Sequence, residues 1–193
     1  MDDRRILENK RILVVDDEPD ILETLEELLH MCRVDTAGSF ESAVNCLKNN
    51  TYDAAILDIM GVQGYQLLEI TRHLNLPTLM LTAHALTPEN LKTAIEKGAD
   101  AYVPKEKLVD ITLFAADVLT ARKQGRQAHA GWFDSVRQIF DRLFGAGWQK
   151  KDSDFWDTLE ARQTDARPQK PARPENRQKN LAGHATVSLA KKK

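Results

Sequence analysis

The chain has 193 residues, of which 42% are hydrophobic and 29% charged, a composition typical of a soluble globular protein. This length allows one domain of ordinary size with an appendage. No run approaches the roughly 18 apolar residues of a membrane span, and the first residues lack the apolar stretch of a secretory signal, so we expect a cytoplasmic protein. Only Cys32 and Cys46 are present, without the spacing of a zinc site.

The net charge of −2 conceals a difference between two parts of the chain. Residues 1–120 contain 11 Lys and Arg against 21 Asp and Glu, a net charge of −10. Residues 121–193 contain 16 against 8, a net charge of +8. This asymmetry indicates that the two parts have different physical roles.

From Arg11 to about Thr120, short apolar runs alternate with segments of helical periodicity. Three continuous runs and two weaker patterns predict strands at 12–15, 34–37, 54–57, 78–81 and 101–103. Apolar stripes predict helices near residues 21–29, 40–47, 67–70, 91–95 and 108–119. Ser39 is expected to cap the second helix, and the Thr87-Pro88 pair to open the fourth. Five successive strand–helix units predict an α/β fold with a doubly wound, five-stranded parallel sheet.

Polar side chains follow four of the predicted strands at their carboxyl ends. Asp16 and Asp17 follow the first strand, Asp58 ends the third, Thr82 ends the fourth, and Lys105 lies just past the fifth. The ligands of open parallel sheets bind beyond this edge. We therefore expect three carboxylates, one hydroxyl and one ammonium group to converge there.

This set of groups is suited to phosphoryl transfer onto a carboxylate. Neighbouring carboxylates repel one another, and Mg²⁺ with oxygen ligands is the natural cation to relieve that repulsion. Asp58 is the candidate nucleophile because it is the lone acid at the end of the central strand. Mg²⁺, Lys105 and the Thr82 hydroxyl could together neutralise the charge of the transferred group.

The motifs VVDDEPD, ILDIMG followed by Gly64, LMLTA and GADAYVPK resemble the receiver domain of bacterial response regulators. The resemblance covers about Arg11 to Thr120 and rests on all these elements occurring in order. It implies a flavodoxin-like strand order 2-1-3-4-5. A receiver domain is accordingly expected over residues 10–122.

The resemblance also implies a role for each site residue. Asp16, Asp17 and Asp58, with the backbone carbonyl of Met60, would hold Mg²⁺. Asp58 would be phosphorylated and Lys105 would pair with the phosphoryl group.

Thr82 and Tyr102 would form the switch pair implied by the resemblance, in which the hydroxyl moves toward the phosphate and the ring turns inward. Met60 and His84 should border the phosphoryl pocket. The sequence departs from the family pattern in the loop MGVQG, which lacks the usual proline, and at Glu106, where many relatives have proline. The isomer of the Lys105–Glu106 peptide bond is left open.

After the receiver region, residues 131–158 are predicted to form an aromatic, amphipathic helical extension. One apolar stripe runs through Trp132, Phe133, Val136, Ile139, Phe140, Leu143 and Phe144. A surface this apolar is expected to be covered. It could fold back on the receiver, pair with a second copy in a homodimer, bind a partner protein or lie on a membrane surface.

Residues 161–193 are predicted to form a disordered basic tail, with nine Lys and Arg against two acids and no aromatic residue. Its charge could attract nucleic acid without sequence specificity, although solubilisation is the simpler role. A specific DNA-binding regulator is not expected, because one amphipathic helix cannot form a helix-turn-helix core.

The sequence as a whole therefore predicts a response regulator phosphorylated on Asp58 by a sensor histidine kinase or a phosphotransfer protein. Its output would be a contact with a downstream protein, whose identity the sequence does not give. Two alternatives stay open: a degenerate receiver that is not phosphorylated, and a DNA-associated regulator that uses the basic tail. An aspartyl phosphatase or dehalogenase is disfavoured, because Asp16-Asp17-Glu18 lacks the spacing of those enzymes, and the chain is not expected to be an enzyme.

Overall fold

A computed structural model of the chain describes residues 3–83, 86–125 and 129–164. Its five strands are all parallel and are β1 (Arg11–Val15), β2 (Arg33–Ala37), β3 (Ala54–Asp58), β4 (Thr78–Thr82) and β5 (Ala101–Pro104). The strand order is β2-β1-β3-β4-β5. The predicted fold class and strand order are confirmed, including the two weaker strands.

Every residue of β3 and β4 is buried, as are the last four of β1. Successive residues of a strand point to opposite faces of a sheet, so both faces must be covered. The helices of this first part are α1 (Pro19–Leu28), α2 (Phe40–Asn49), α3 (Gly64–His73), α4 (Pro88–Glu96) and α5 (Ile111–Lys123).

The helix starts follow the local signals in the sequence. Ser39 accepts a hydrogen bond from the Ser42 amide, and the Ser42 hydroxyl accepts one from the Ser39 amide, which completes a capping box. Thr87 caps α4 through the Asn90 amide, with Pro88 in the first turn. The capping signals therefore fix where α2 and α4 leave the carboxyl edge of the sheet.

The chain before β1 contributes to the core, which the sequence did not predict. Residues Asp3–Leu7 form a 3₁₀ helix that packs against α5, and Leu7 is completely buried. The packed unit thus begins before residue 10, the predicted domain start. A five-residue segment is too short to show a hydrophobic periodicity from which its burial could be predicted.

The C-terminal part forms α6 (His129–Phe144), a 3₁₀ helix (Trp148–Asp152) and α7 (Ser153–Thr164). Helix α6 matches the predicted stripe, but α7 is a second helix where one was expected. It runs to Thr164, past residue 161 where the tail was predicted to start; Trp156 and Leu159 of α7 are buried, and this packing stabilises the helix. Residues 165–193 of the predicted tail lie outside the described residues.

Helix α6 folds back on the receiver region, one of the alternatives that the stripe allowed. The Trp132 indole donates a hydrogen bond to the carbonyl of Asp100, just before β5, and α6 also contacts α5. Most of the stripe is buried, whereas Leu143 and Phe144 are exposed. None of the helices in the described ranges is long and apolar enough to cross a bilayer.

Candidate functional site

The carboxyl ends of the strands bring the predicted polar residues to one edge of the sheet. Asp16 follows β1 and is fully buried, Asp58 is the last residue of β3 and is almost fully buried, and Thr82 ends β4 and is fully buried. Lys105 begins a 3₁₀ helix directly after β5. Asp17, in contrast, is exposed at the rim.

The ammonium group of Lys105 holds this arrangement together. Its Nζ lies 2.8 Å from Asp16 Oδ2, 2.8 Å from Glu18 Oε1 and 3.1 Å from Asp58 Oδ1. The Lys105 side chain is only 10% exposed, so these ion pairs are partly shielded from solvent. The structure thus joins the carboxylates after β1 and β3 through a cation from the far edge strand.

Electrostatics favour a protonated lysine. Burial opposes the charged form of Lys105, but the short contacts with Asp16, Glu18 and Asp58 outweigh it and raise the pKa of the ammonium group. Burial is also the largest influence on Asp16 and raises the pKa of its carboxyl group, against the Lys105 contact and a hydrogen bond from the Glu18 amide. The ionised form of Asp16 is therefore incompletely compensated.

Asp58 is held by its two oxygens in different ways. Its Oδ2 accepts a hydrogen bond of 2.8 Å from the Met60 amide, and its Oδ1 faces Lys105. The Met60 carbonyl accepts a hydrogen bond from the Gln63 amide, which leaves it one lone pair, and the Met60 side chain is 61% exposed. The Asp58 carboxylate is thus held in one orientation, and the exposed Met60 lies beside it at the solvent side of the site.

Two glycines in the loop after β3 allow the close packing of this site. A methyl group on Gly61 would overlap the carboxyl group of Asp17. A methyl group on Gly64 would overlap the main-chain carbonyl oxygen of Asp58. Glycine at these two positions lets the loop lie against both aspartates.

The carboxylate oxygens at this edge of the sheet are the type of ligand that a hard divalent cation such as Mg²⁺ prefers. The buried Asp16 Oδ2 makes no hydrogen bond: its short contact with Lys105 Nζ is electrostatic and lacks hydrogen-bond geometry. Within residues 3–83, 86–125 and 129–164, no three His, Cys, Asp or Glu side chains already converge as a metal site. The carboxylates therefore offer oxygen ligands, but they would have to adjust around an ion.

The two residues predicted as a switch pair lie together. Tyr102 is completely buried, and its hydroxyl forms a hydrogen bond with Thr82. Burial is the main reason why the pKa of Tyr102 is raised, with a further contribution from nearby Tyr65. The ring is thus turned inward, toward the end of β4.

The open question at Lys105 has a structural answer, since the Lys105–Glu106 peptide bond is trans. His84, which was expected to border the pocket, lies outside the described residues. Sequence reasoning did not anticipate the contact of Glu18 with Lys105. Its position directly after Asp16-Asp17, at the same strand end, was the available signal.

Comparison with known proteins finds the same family that the sequence motifs resemble. A family model described as "Response regulator receiver domain" matches residues 12–113. The chain is 34% identical over 119 residues to the "Heme response regulator HssR" of Staphylococcus haemolyticus, covering 59% of this chain and 53% of that protein. It is 40% identical over 105 residues to the "Probable transcriptional regulator ycf27" of Guillardia theta, covering 51% of this chain and 41% of that protein. The chain thus spans about half the length of these relatives.

Solved structures match the same part of the chain. A putative response regulator from Chloroflexus aurantiacus is 30% identical with a TM-score of 0.53, covering 58% of this chain and 99% of that one. The receiver domain of the Francisella response regulator 1452 is 26% identical with a TM-score of 0.53, covering 60% and 99%. A receiver domain titled "BeF3 Activated DrrB" is 27% identical with a TM-score of 0.52, covering 59% and 99%.

Proposed function

The chain belongs to the response regulator receiver domain family, and we propose that it accepts a phosphoryl group on Asp58 from a sensor histidine kinase or a phosphotransfer protein. The position of Asp58 carries this proposal. One of its oxygens is fixed by the Met60 amide and the other faces Lys105, beside Asp16 and Thr82. A carboxylate held this way can attack phosphorus without first losing a proton.

In the transfer, a bond forms between an Asp58 oxygen and phosphorus while the bond between phosphorus and the donor histidine nitrogen breaks. The Lys105 ammonium, 3.1 Å from Asp58 Oδ1, can pair with the negative oxygens of the phosphoryl group that Asp58 receives. The Thr82 hydroxyl can donate a hydrogen bond to a phosphoryl oxygen. The Met60 amide keeps its acceptor and so preserves the orientation of Asp58.

Asp16, Asp17, Asp58 and the Met60 carbonyl would hold Mg²⁺ at this site. The bound ion would offset carboxylate repulsion and neutralise phosphoryl charge. The buried, hydrogen-bond-free oxygen of Asp16 and the packing of Asp17 against Gly61 support this assignment. Because Lys105 now contacts both Asp16 and Asp58, its ammonium group would move partly aside as the ligands adjust.

The chain would act as a signalling protein rather than an enzyme. Its output would be a contact with a downstream protein, made in the cytoplasm and gated by the state of Asp58. A receiver domain similar to this chain is described as activated by BeF3, a mimic of the phosphoryl group. Population of an active conformation, rather than turnover of a substrate, is the expected consequence of phosphorylation.

Intact-mass analysis after incubation with acetyl phosphate and Mg²⁺ tests this proposal. We expect the wild type to gain the mass of one phosphoryl group, and Asp58→Asn to gain none. Asp16 also faces Lys105 and accepts a backbone amide hydrogen bond, but it is completely buried, whereas Asp58 lies beside the exposed Met60. Asp53→Asn is the matched control. Asp53 lies just before the other end of β3, where it binds Lys10 and the Arg11 amide, so its replacement should leave the mass gain intact.

The outcomes separate the alternatives. Modification of Asp58→Asn at the wild-type rate would place the phosphoryl group elsewhere. A wild type that gains no mass from acetyl phosphate or from a histidine kinase would be a degenerate receiver that acts through protein contacts alone.

Gly61→Ala tests the role of Asp17 in magnesium binding. The added methyl group would push the exposed Asp17 carboxyl group away, which costs little folding energy because that side chain can rotate. We expect the Mg²⁺ concentration for half-maximal phosphorylation to rise about tenfold. Gly38→Ala is the control: it lies just after β2, and its added methyl would be 3.9 Å from the nearest atom, the Asp16 carbonyl oxygen. Equal magnesium dependence in both variants would contradict the assignment of Asp17.

A further inference from the structure

Residues 129–164 form a C-terminal module with its own aromatic core. Phe133 stacks on Trp156 with ring centroids 5.9 Å apart, and Trp148 packs edge-on against Trp156 at 4.9 Å. Phe140 contacts Trp148 at 5.0 Å. These rings join α6, the 3₁₀ helix and α7, so the module can move or dock as one unit.

The module contacts the receiver region at two elements, β5 and α4. Trp132 Nε1 donates a 2.8 Å hydrogen bond to the Asp100 carbonyl, at the start of β5. Lys92 of α4 forms an ion pair of 2.5 Å with Asp152 and lies 5.4 Å from the ring centre of Phe155.

A second ion pair joins Lys151 to Glu89, also on α4, at 3.2 Å. Since α6 also packs along β5, the module spans from α4 to the edge of the sheet. Its docking therefore depends on the relative position of these two elements.

Both elements adjoin the Thr82–Tyr102 pair. Tyr102 lies in β5, the last strand of the sheet, where an aromatic ring would ordinarily be half exposed, yet it is completely buried. Helix α4 follows Thr82 after a short loop, and the Tyr65 hydroxyl of α3 binds the Asn90 carbonyl of α4. Helices α4, α5 and α6 all pack on β5, so the completely buried ring of Tyr102 can turn outward only if the packing on this strand changes.

We propose that the C-terminal module clamps Tyr102 in its inward position, so that docking of the module and phosphorylation of Asp58 favour each other. The clamp follows from the contacts at β5 and α4; the coupling rests on the proposed function. When the Thr82 hydroxyl turns from Tyr102 to donate to a phosphoryl group on Asp58, an inward Tyr102 hydroxyl can donate to Thr82 in its turn and make it a stronger donor. By linkage, the phosphoryl group then strengthens the hold of the module.

Nitration of tyrosine by tetranitromethane, mapped by peptide mass spectrometry on the full chain, tests the clamp. We expect slow modification of Tyr102 in the wild type and a rate about twofold to tenfold higher in Trp132→Phe, which loses the hydrogen bond to β5. Trp148→Phe is the control, because its lost indole hydrogen bond goes to Asp141 within the module. Tyr52, which is buried away from the module, serves as an internal reference. An unchanged Tyr102 rate in Trp132→Phe overturns the clamp.

A second pair of variants tests the coupling and does not depend on an aromatic substitution. Lys92→Gln removes the ion pair to Asp152, whereas Lys97→Gln removes a similar pair at the C-terminal end of the same helix, to Glu69 of the receiver. Binding of trifluoroberyllate with Mg²⁺, followed by fluorine NMR, should weaken about twofold to tenfold in Lys92→Gln and stay unchanged in Lys97→Gln.

Tighter or unchanged binding in Lys92→Gln would overturn the coupling and leave the proposed function standing. A wild type that neither binds trifluoroberyllate nor gains mass would overturn the proposed function and the coupling with it. In that case the nitration rates still decide whether the clamp exists, because they need no phosphoryl group.

Discussion

Replacement of Lys105 by methionine should lower the free energy of unfolding by about 3 kcal/mol in magnesium-free buffer. The ammonium group is the shared counter-charge of Asp16, Glu18 and Asp58, and the first and last of these carboxylates are buried. Without it, they must repel one another or take up protons. For a chain of this size the loss corresponds to a Tm lower by roughly 6–12 °C, measured by circular dichroism.

Magnesium should reverse much of that loss in Lys105→Met, because carboxylates that the ammonium group no longer neutralises would bind the ion more tightly than in the wild type. The rate of phosphorylation should nevertheless fall about a hundredfold at saturating Mg²⁺, since a positive group aimed at the phosphoryl charge is missing. Added magnesium would thus restore most of the stability that Lys105→Met loses but would not restore its rate of phosphorylation.

Lys107→Met is the matched control for this effect. Lys107 lies two residues further on, its side chain is 42% exposed, and it forms a long ion pair of 3.8 Å with Asp110. We expect a change below about 0.5 kcal/mol and normal phosphorylation. If the two variants lost equal stability, the network around Lys105 would not be a significant source of folding energy.

The sequence predicted the sheet well because its central strands are short, apolar and buried on both faces. β1, β3 and β4 stand out for that reason, and their order follows from the family resemblance. The site residues were predictable because parallel strands bring their carboxyl ends to one edge. Position along the chain was therefore enough to group Asp16, Asp58, Thr82 and Lys105.

Contacts between distant parts of the chain were harder to predict. Glu18 stands at the same strand end as Asp16, but this position alone does not show that its carboxylate reaches Lys105, 87 residues away. The stripe on α6 showed that one face should be covered but not by what, since burial patterns do not name the partner surface. Helix α7 was missed because only Phe155, Trp156 and Leu159 mark its buried side in an otherwise polar segment.

Phe140→Ala should unfold the C-terminal module while the receiver strands stay protected. Phe140 is completely buried between Phe144 and Trp148, with ring centroids 5.4 and 5.0 Å away. Loss of such a ring costs about 3–5 kcal/mol, which a unit of two helices and one turn is too small to absorb. Amide hydrogen exchange should therefore rise through residues 129–164 and remain slow in β1, β3 and β4.

Phe144→Ala is the control on the same helix, since its side chain is 44% exposed and its loss should cost less than about 1 kcal/mol. If Phe140→Ala raised exchange equally in β1, β3 and β4, the module would be an inseparable part of the receiver core and could not dock and release as a unit. If exchange rises only in the module, the two parts have separate stabilities. That separation is what a clamp on Tyr102 requires, because a body that cannot leave β5 and α4 cannot report the state of Asp58.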